Sequence, residues 1–325
     1  MSLAGPIDLH RLQIFVAYCE AGSMTLAAER LGMSQSAVSQ LIKRLEQDTG
    51  SGLIDRDARP ARLTHAGSTL LDLSRDLLSH AQSVTERVRH ESTDVCPRIR
   101  LGCVDSFAAT VGPDLIRALS GSARELHLGS GLTPGLVAQL VRRELDFAIC
   151  TDGAVQEQHI TQTPLFSEEF VLVVPRSHGY ERAPDLCTIS ASLPLIRYSL
   201  RSVIGQQVER ILRTLGVQAD RRFEFDATDP LLSLVAAGLG WALCTPLCLW
   251  QSRHFLAEIT LFPLPEDARA RREFFLLAHK GEWQRIGKDI TRATRQVMQQ
   301  RIRHDIHKAL PSLPSSAFHF FANGT

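Results

Sequence analysis

The segment SMTLAAERLGMSQSAVSQLIKRLEQ, residues 23–47, has an unusual polar face on what its apolar spacing predicts to be a helix. Apolar residues recur at helical spacing at Val38, Leu41 and Leu45. The opposite side shows only hydroxyl, amide and cationic groups: Gln35, Ser36, Ser39, Gln40 and Lys43. Gln can pair with adenine, Ser with a base or phosphate, and Lys with guanine or phosphate, whereas carboxylates would be repelled by phosphates. This face therefore has the chemistry of a helix that reads bases in the DNA major groove.

Two further helices and a hairpin would position that face. Residues 8–20 show helical apolar spacing, Ser23 caps a second helix that Gly32 ends, and Ser34 caps a third helix over residues 35–48. The following LIDRDARPARLT predicts a short arginine-tipped hairpin. Three helices and a hairpin form a winged helix-turn-helix. The second helix of the helix-turn-helix motif, here the one over residues 35–48, enters the major groove of DNA. The candidate DNA-contacting residues are Ser23, Thr25, Ser34, Gln35, Ser36, Ser39, Gln40, Lys43, Arg56, Arg59 and Arg62.

Charge gives this hypothesis only local support. The formal net charge of the 325-residue chain is +1, and residues 1–66 contain equal numbers of basic and acidic side chains. DNA binding would therefore depend on cations clustered at the third helix and the hairpin. The alternative at this point is a small helical bundle whose Gln/Ser face is merely solvated.

A long amphipathic helix is predicted from about residue 65 to 92. Its apolar stripe follows helical spacing and its other sides are polar, so the stripe needs a partner helix, most simply its own copy. The stripe consists of Leu70, Leu73, Leu77, Ala81, Val84 and Val88.

From Pro97 onward, apolar strands alternate with helical stretches, which predicts βαβ units and parallel sheets. About 200 residues of this pattern can build two α/β sub-domains with a cleft between them. Strand ends and helix starts meet at such a cleft and bind small polar molecules. The candidate residues for binding such a molecule are Asp105, Ser106, Phe107, Thr133, Tyr198, Ser199, Arg201, Ser202, Thr228 and Thr245. Ser106, Thr133 and Ser202 could instead be plain helix caps. Hydroxyls and N–H groups at these positions would hold a carboxylate, whereas Asp105 argues against an anion directly on the first helix, so a cationic or hydroxylated ligand stays open as well.

Catalysis is not indicated by any motif. The sequence has no GxSxG, HExxH or GxxxxGK[ST], and His304 and His307 lie in a tail, residues 304–325, that lacks a clear period and is expected to be poorly ordered. We therefore expect no enzyme activity, cofactor or metal site. No signal segment or membrane-spanning run is apparent, and the seven cysteines form no CxxC, which favours reduced thiols in the cytoplasm. A redox-responsive pair, Cys244 and Cys248, remains the alternative to small-molecule binding in the cleft.

Residues 9–67 resemble the N-terminal domain of the LysR-type transcriptional regulators. The similarity rests on spacing that includes Leu12, Phe15, Ala27, Leu31, Gln35, Ser39, Leu45, Glu46, Arg56, Thr64 and Gly67. It extends more loosely through LDFAI, FVLVVP and LVAAGLGWALCTP to near residue 300.

The resemblance implies a transcription factor in three parts. These are a winged helix-turn-helix over residues 1–64, a dimerising linker helix over 65–95, and an effector domain like a periplasmic binding protein over 96–303. Sub-domain 1 would comprise about 97–167 and 268–300, and sub-domain 2 about 168–267. The implied partners are promoter DNA, a small-molecule effector, further copies of the chain in a homodimer or homotetramer, and RNA polymerase, with no membrane.

Overall fold

The chain folds as two compact units, Met1–Asp94 and Val95–Thr325. The computed structural model describes residues 8–56, 58, 61–90, 96–152, 157–265 and 270–321. Among these residues no helix is both long and apolar enough to cross a membrane.

The N-terminal unit is a three-helix bundle followed by a hairpin and a long helix. Its elements are α1 (Leu9–Ala21), α2 (Met24–Leu31), α3 (Gln35–Thr49), β1 (Ile54–Asp55), β2 (Arg62–Leu63) and α4 (His65–His90). The hydroxyl of Ser23 accepts the Leu26 N–H at 3.1 Å, and that of Ser34 accepts the Ala37 N–H at 3.2 Å. Gly32 ends α2 in the left-handed conformation that glycine adopts without strain. These local signals set the turn between α2 and α3.

The C-terminal unit begins with a six-stranded mixed sheet. Its strands are β3 (Cys96–Val104), β4 (Ala123–Gly131), β5 (Phe147–Thr151), β6 (Ile160–Glu169), β12 (Arg271–His279) and β13 (Phe318–Phe320), in the order β13-β6-β12-β5-β3-β4. β3 runs parallel to β4 and β5, whereas β12 runs antiparallel to β5 and β6. The helices of this part are α5 (Asp105–Thr110), α6 (Gly112–Leu119), α7 (Thr133–Val141) and α12 (Gln284–Val297). We call this sheet and its helices sub-domain 1.

The remaining strands form two smaller sheets, which with their helices we call sub-domain 2. The strands are β7 (Val171–Pro175), β8 (Ile196–Tyr198), β9 (Phe223–Phe225), β10 (Ala242–Cys244) and β11 (Ile259–Pro263). They pair in the orders β10-β7-β11 and β8-β9. The helices are α8 (Leu186–Ser192), α9 (Val203–Thr214), α10 (Thr228–Ala236) and α11 (Pro246–Gln251). The chain passes between the sub-domains twice, from β6 to β7 and from β11 to β12.

The tail over residues 304–325 is not poorly ordered where the structure describes it, so that prediction was wrong. A π-helical turn, Met298–Ile302, leads into α13 (Arg303–Ala309), and β13 then pairs antiparallel with β6. Ile306, Leu310 and Phe318 are buried in the core of the unit. Their burial removes apolar surface from water without requiring a regular period, which explains why periodicity did not identify the segment. Residues 322–325 lie outside the described residues.

Candidate DNA-reading helix and effector cleft

The polar face of α3 lies in solvent. Gln35, Ser36, Gln40 and Lys43 are exposed, and Ser39 is half-buried. The opposite face is fixed by Val38, Ile42 and Leu45, each 0% exposed. Because this burial fixes the rotation of the helix, the hydroxyl, amide and cationic groups form one continuous outward surface.

The first turns of α2 and α3 carry the other candidate DNA contacts. The side chains of Ser23 and Ser34 cap these helices, and the Ser34 hydroxyl lies 3.0 Å from that of Ser36. Thr25 is exposed on α2. A hydroxyl that accepts one backbone N–H at a helix start still has its O–H donor and a second lone pair. The same side chain can therefore cap the helix and contact a phosphate.

The three hairpin arginines differ in position. Arg56 donates from Nη2 to Glu46 Oε2 at 2.8 Å, while Glu46 Oε1 accepts the Leu53 N–H at 2.9 Å. Arg56 therefore helps to tie the hairpin to α3. Arg62 is exposed on β2, and Arg59 lies outside the described residues.

The apolar stripe of α4 is uncovered over much of its length. Leu73 is 60% exposed, and Leu77 and Val84 are each 44% exposed. Leu70 and Ala81 are half-buried, and the side chain of Val88 lies outside the described residues. Such a stripe of large apolar side chains is typical of a helix that packs against another helix.

Between the sub-domains lies a cleft cavity of about 40 Å³. Six predicted residues line it: Asp105, Ser106, Thr133, Tyr198, Ser202 and Thr228. Four further polar residues also line it: Thr151, Asp226, Cys248 and Arg272. Of these, the sequence suggested only Cys248, as part of the redox alternative.

Four other predicted residues lie outside the cavity wall. Phe107 is fully buried and stacks near Phe166, so it belongs to the core. Ser199 is buried, and its hydroxyl accepts the Arg201 N–H at 3.2 Å. The Arg201 side chain is largely exposed and bonds to Asp226, while Thr245 is fully buried behind the cavity.

Several cleft hydroxyls already have protein partners. Ser202 accepts the Gly205 N–H at 3.1 Å and donates to the Ser199 carbonyl at 2.7 Å, as expected of a helix cap. Thr133 accepts the Thr151 N–H at 3.3 Å. Asp105 takes no helix-capping role, and α5 has no side-chain cap.

Arg272 forms the floor of the cleft. Its Nη1 lies 3.0 Å from Ser106 Oγ and 3.4 Å from Glu168 Oε1, both in sub-domain 1. The same nitrogen lies 3.4 Å from Thr245 Oγ1 and 3.3 Å from Cys248 Sγ, both in sub-domain 2. One buried guanidinium thus joins the two sub-domains at the point where the cleft would open.

The carboxylate partner of Arg272 also crosses the boundary. Glu168 Oε2 accepts the Leu247 N–H of α11 at 2.8 Å. Burial raises the pKa of Glu168 to about 7, although Arg272 opposes this shift. The side-chain charge of Glu168 therefore changes near neutral pH.

The thiol next to Arg272 has unusual electrostatics as well. A hydrogen bond from the Cys244 thiol holds the pKa of Cys248 well below its usual range, and Arg272 lowers it further against the effect of burial. Burial raises the pKa of Cys244 well above its usual range. The Tyr198 hydroxyl lies 3.2 Å from Cys244 Sγ and 3.1 Å from Thr228 Oγ1.

Sequence reasoning missed Arg272 and Glu168, because the sequence shows their charges but not their pairing. Glu168 and Arg272 lie at charged ends of two apolar stretches, SEEFVLVVP and RREFFLLAH, and pair in register on neighbouring strands. Paired opposite charges beside two buried strands can meet across a sheet.

Comparisons with known proteins agree with this architecture. A family model described as the LysR substrate binding domain matches residues 92–298, and one described as a bacterial regulatory helix-turn-helix protein of the lysR family matches residues 9–68. The transcriptional regulator YusT of Bacillus subtilis is 28% identical and aligns with 82% of this chain and 88% of its own. A probable hydrogen peroxide-inducible genes activator of Mycobacterium leprae is 31% identical over 64% of this chain and 68% of its own.

Solved structures show the same fold. The LysR family regulator CbnR, 20% identical, aligns over 89% of this chain and 99% of its own with a TM-score of 0.63. Full-length CbnR bound to its target DNA aligns with a TM-score of 0.64 at the same identity, over 89% of this chain and 99% of its own. The chain belongs to the LysR-type transcriptional regulators, DNA-binding proteins with an effector-binding C-terminal domain.

Proposed function

We propose that α3 reads the operator of this regulator and that a small molecule in the Arg272 cleft controls the outcome of binding. The observation that carries the first part is the outward face of a capped, rigidly packed helix that offers amides and hydroxyls. Gln35, Ser36 and Ser39 contact base edges, and Gln40 and Lys43 reach further bases or phosphates. Ser23, Thr25 and Ser34 contact the backbone at the starts of their helices.

The wing supplies backbone contacts through its arginines. Arg62 is exposed and, with Arg59, is assigned to phosphate or the minor groove. Arg56 has a different role, because its guanidinium forms a salt bridge with the Glu46 carboxylate at 2.8 Å. It orients the hairpin relative to α3 instead of carrying a share of the DNA affinity.

The effector enters between the sub-domains. The wall offers Tyr198, Thr228 and the carboxylates Asp105 and Asp226, a set that suits a hydroxylated or cationic molecule. A cavity of about 40 Å³ holds no more than a few water-sized groups. Binding a metabolite therefore requires the cleft to open, which stretches the contacts of Arg272 with Thr245 and Cys248.

The uncovered stripe of α4 supports assembly through this helix. Two copies bury Leu73, Leu77 and Val84 against each other, and a dimer or a dimer of dimers places two α3 helices on neighbouring half-sites. RNA polymerase is the further partner of such a complex on promoter DNA.

DNase I footprinting tests these assignments together. The DNA is the region upstream of the regulator's own gene and its divergent neighbour, with and without a panel of metabolites. We expect one protected region whose boundaries or bend-induced cleavage change with one metabolite class. A regulator carrying Tyr198→Phe should show the same protection without metabolite and need a higher metabolite concentration for the change. Unchanged dose dependence in Tyr198→Phe and in Thr228→Val would contradict the effector site.

A further inference from the structure

The base of the cleft holds two neighbouring thiols in different settings. Cys248, in the first turn of α11, lines the cavity and is 2% exposed. Its sulfur lies 3.3 Å from Arg272 Nη1. Cys244, at the end of β10, is 0% exposed and bonded to the Tyr198 hydroxyl.

We propose that Cys248 is an oxidant-reactive cysteine, that Cys244 is its resolving partner, and that a hydroperoxide about the size of hydrogen peroxide converts the pair to a disulfide. This disulfide would be a second signal sensed at the cleft. It depends neither on the proposed metabolite nor on any DNA-binding assignment.

The surroundings of Cys248 favour the nucleophilic form of its sulfur. A thiolate, not a thiol, attacks peroxide, and a neighbouring cation stabilises it. Arg272 supplies that cation, and the Cys244 thiol supplies a hydrogen bond. Glu168 competes for the same guanidinium, but the raised pKa of Glu168 leaves part of this carboxyl neutral near pH 7.

Other described thiols lack this setting. Burial raises the pKa of Cys19 to about 11 and that of Cys150 to about 12, and it raises the pKa of Cys103 as well. Cys187 is exposed on α8. The geometry therefore predicts selective oxidation of the nearly buried Cys248 over the exposed Cys187.

Cavity size sets which oxidant reaches the sulfur. About 40 Å³ admits water-sized species. Hydrogen peroxide, with two heavy atoms, fits this space, whereas a branched alkyl hydroperoxide or a bulky thiol reagent does not. Cys187 is exposed and has no such restriction. Bulky reagents should therefore react with Cys187 and not with Cys248, whereas hydrogen peroxide should react with Cys248.

The chemical step balances without a further reactant. The Cys248 sulfur attacks one peroxide oxygen, an S–O bond forms, the O–O bond breaks, and the departing hydroxide takes a proton to become water. Cys248 is thereby oxidised to a sulfenic acid and the peroxide is reduced. The Cys244 sulfur then displaces the hydroxyl group, which leaves as water after accepting the Cys244 proton. Two thiols and one peroxide give one disulfide and two waters.

Disulfide formation would alter the joint between the sub-domains. It removes the anionic sulfur from Arg272, which retains Ser106 and Glu168 in sub-domain 1. The contact across the cleft then depends on Thr245 and on the Glu168–Leu247 hydrogen bond. Oxidation therefore weakens the same joint that an effector would open.

Peptide mass mapping of the full-length protein tests the proposal. Reduced protein is treated with hydrogen peroxide or with tert-butyl hydroperoxide, alkylated, and digested. We expect hydrogen peroxide to join Cys244 and Cys248, with Cys187 still reduced. Cys244→Ser should stop at a dimedone-reactive sulfenic acid on Cys248, and the control Cys187→Ser should behave like the unaltered protein. Tert-butyl hydroperoxide should oxidise Cys248 at least tenfold more slowly.

Two results would overturn the inference. One is oxidation of Cys187 or Cys19 by hydrogen peroxide while Cys248 stays reduced in the unaltered protein, a result that does not depend on whether any variant folds. The other is equal oxidation of Cys248 by both hydroperoxides, which would remove the size argument.

Discussion

At the scale of single residues, the decisive contacts of this regulator are buried charges. Arg272 holds Ser106, Glu168, Thr245 and Cys248 through one nitrogen. Truncating one member of such a network leaves the others unsatisfied in a medium of low dielectric constant. The sequence showed most of the hydroxyls on the cleft wall but not this floor, because composition alone does not reveal which charges pair across a sheet.

Glu168 should make stability pH-dependent. Its folded-state pKa of about 7 lies above its ordinary value of 4.5, so the folded state binds the proton more tightly. The free energy of unfolding therefore falls as pH rises from about 4.5 to about 7, by up to about 3 kcal/mol. Trp241, Trp250 and Trp283 all lie in the C-terminal unit, so urea unfolding followed by tryptophan fluorescence reports on it. In Glu168→Gln the decrease between pH 5 and pH 8 should be smaller; an equal decrease would contradict this account.

Arg62 and Arg56 should differ in how much each contributes to the salt dependence of DNA affinity. Arg62→Ala removes an exposed cation and should lower the slope of log affinity against log salt by about one. Arg56→Ala is the matched control, since its guanidinium is bonded to Glu46, and it should leave that slope nearly unchanged. Equal changes in both variants would show that Arg56 also contacts phosphate.

At the scale of elements, local signals predicted the N-terminal unit well. Caps at Ser23 and Ser34 and glycine stops are read directly from sequence because they depend on neighbouring residues only. β6 is not predicted by local sequence, because six of its ten residues carry polar side chains and its burial comes from strands distant in sequence. The helical stretch after β3 is two helices, α5 and α6, with Pro113 in the first turn of the second.

The α4 stripe should control assembly. Leu73→Asp places a charge in an apolar seam and should shift the protein toward monomer, because a buried unpaired carboxylate is costly. Ser68→Asp adds the same charge to an exposed position on another side of α4 and should leave the assembly intact. Sedimentation velocity measures both. Identical sedimentation of Leu73→Asp and the unaltered protein would contradict dimerisation through α4.

At the scale of the whole molecule, the division into two α/β sub-domains followed from alternating strands and helices. The two crossings between them, after β6 and before β12, depend on long-range pairing and were only implied by the family resemblance. The cleft wall could be predicted because strand ends and helix starts converge there. Its floor and the folded C-terminal segment could not, because both arise from contacts between residues far apart in sequence.

The central claim is that α3 gives this protein sequence-specific DNA binding, and selection from a random DNA library tests it without knowledge of the operator or effector. The protein should enrich one consensus with two related half-sites. Gln35→Ala should lose preference at one position in each half-site, equivalent to about 1–3 kcal/mol, because the amide that reads that base is gone. Gln47→Ala, on the exposed C-terminal part of the same helix, should keep the full consensus. Failure to enrich any consensus, or equal loss in Gln35→Ala and Gln47→Ala, would contradict the account.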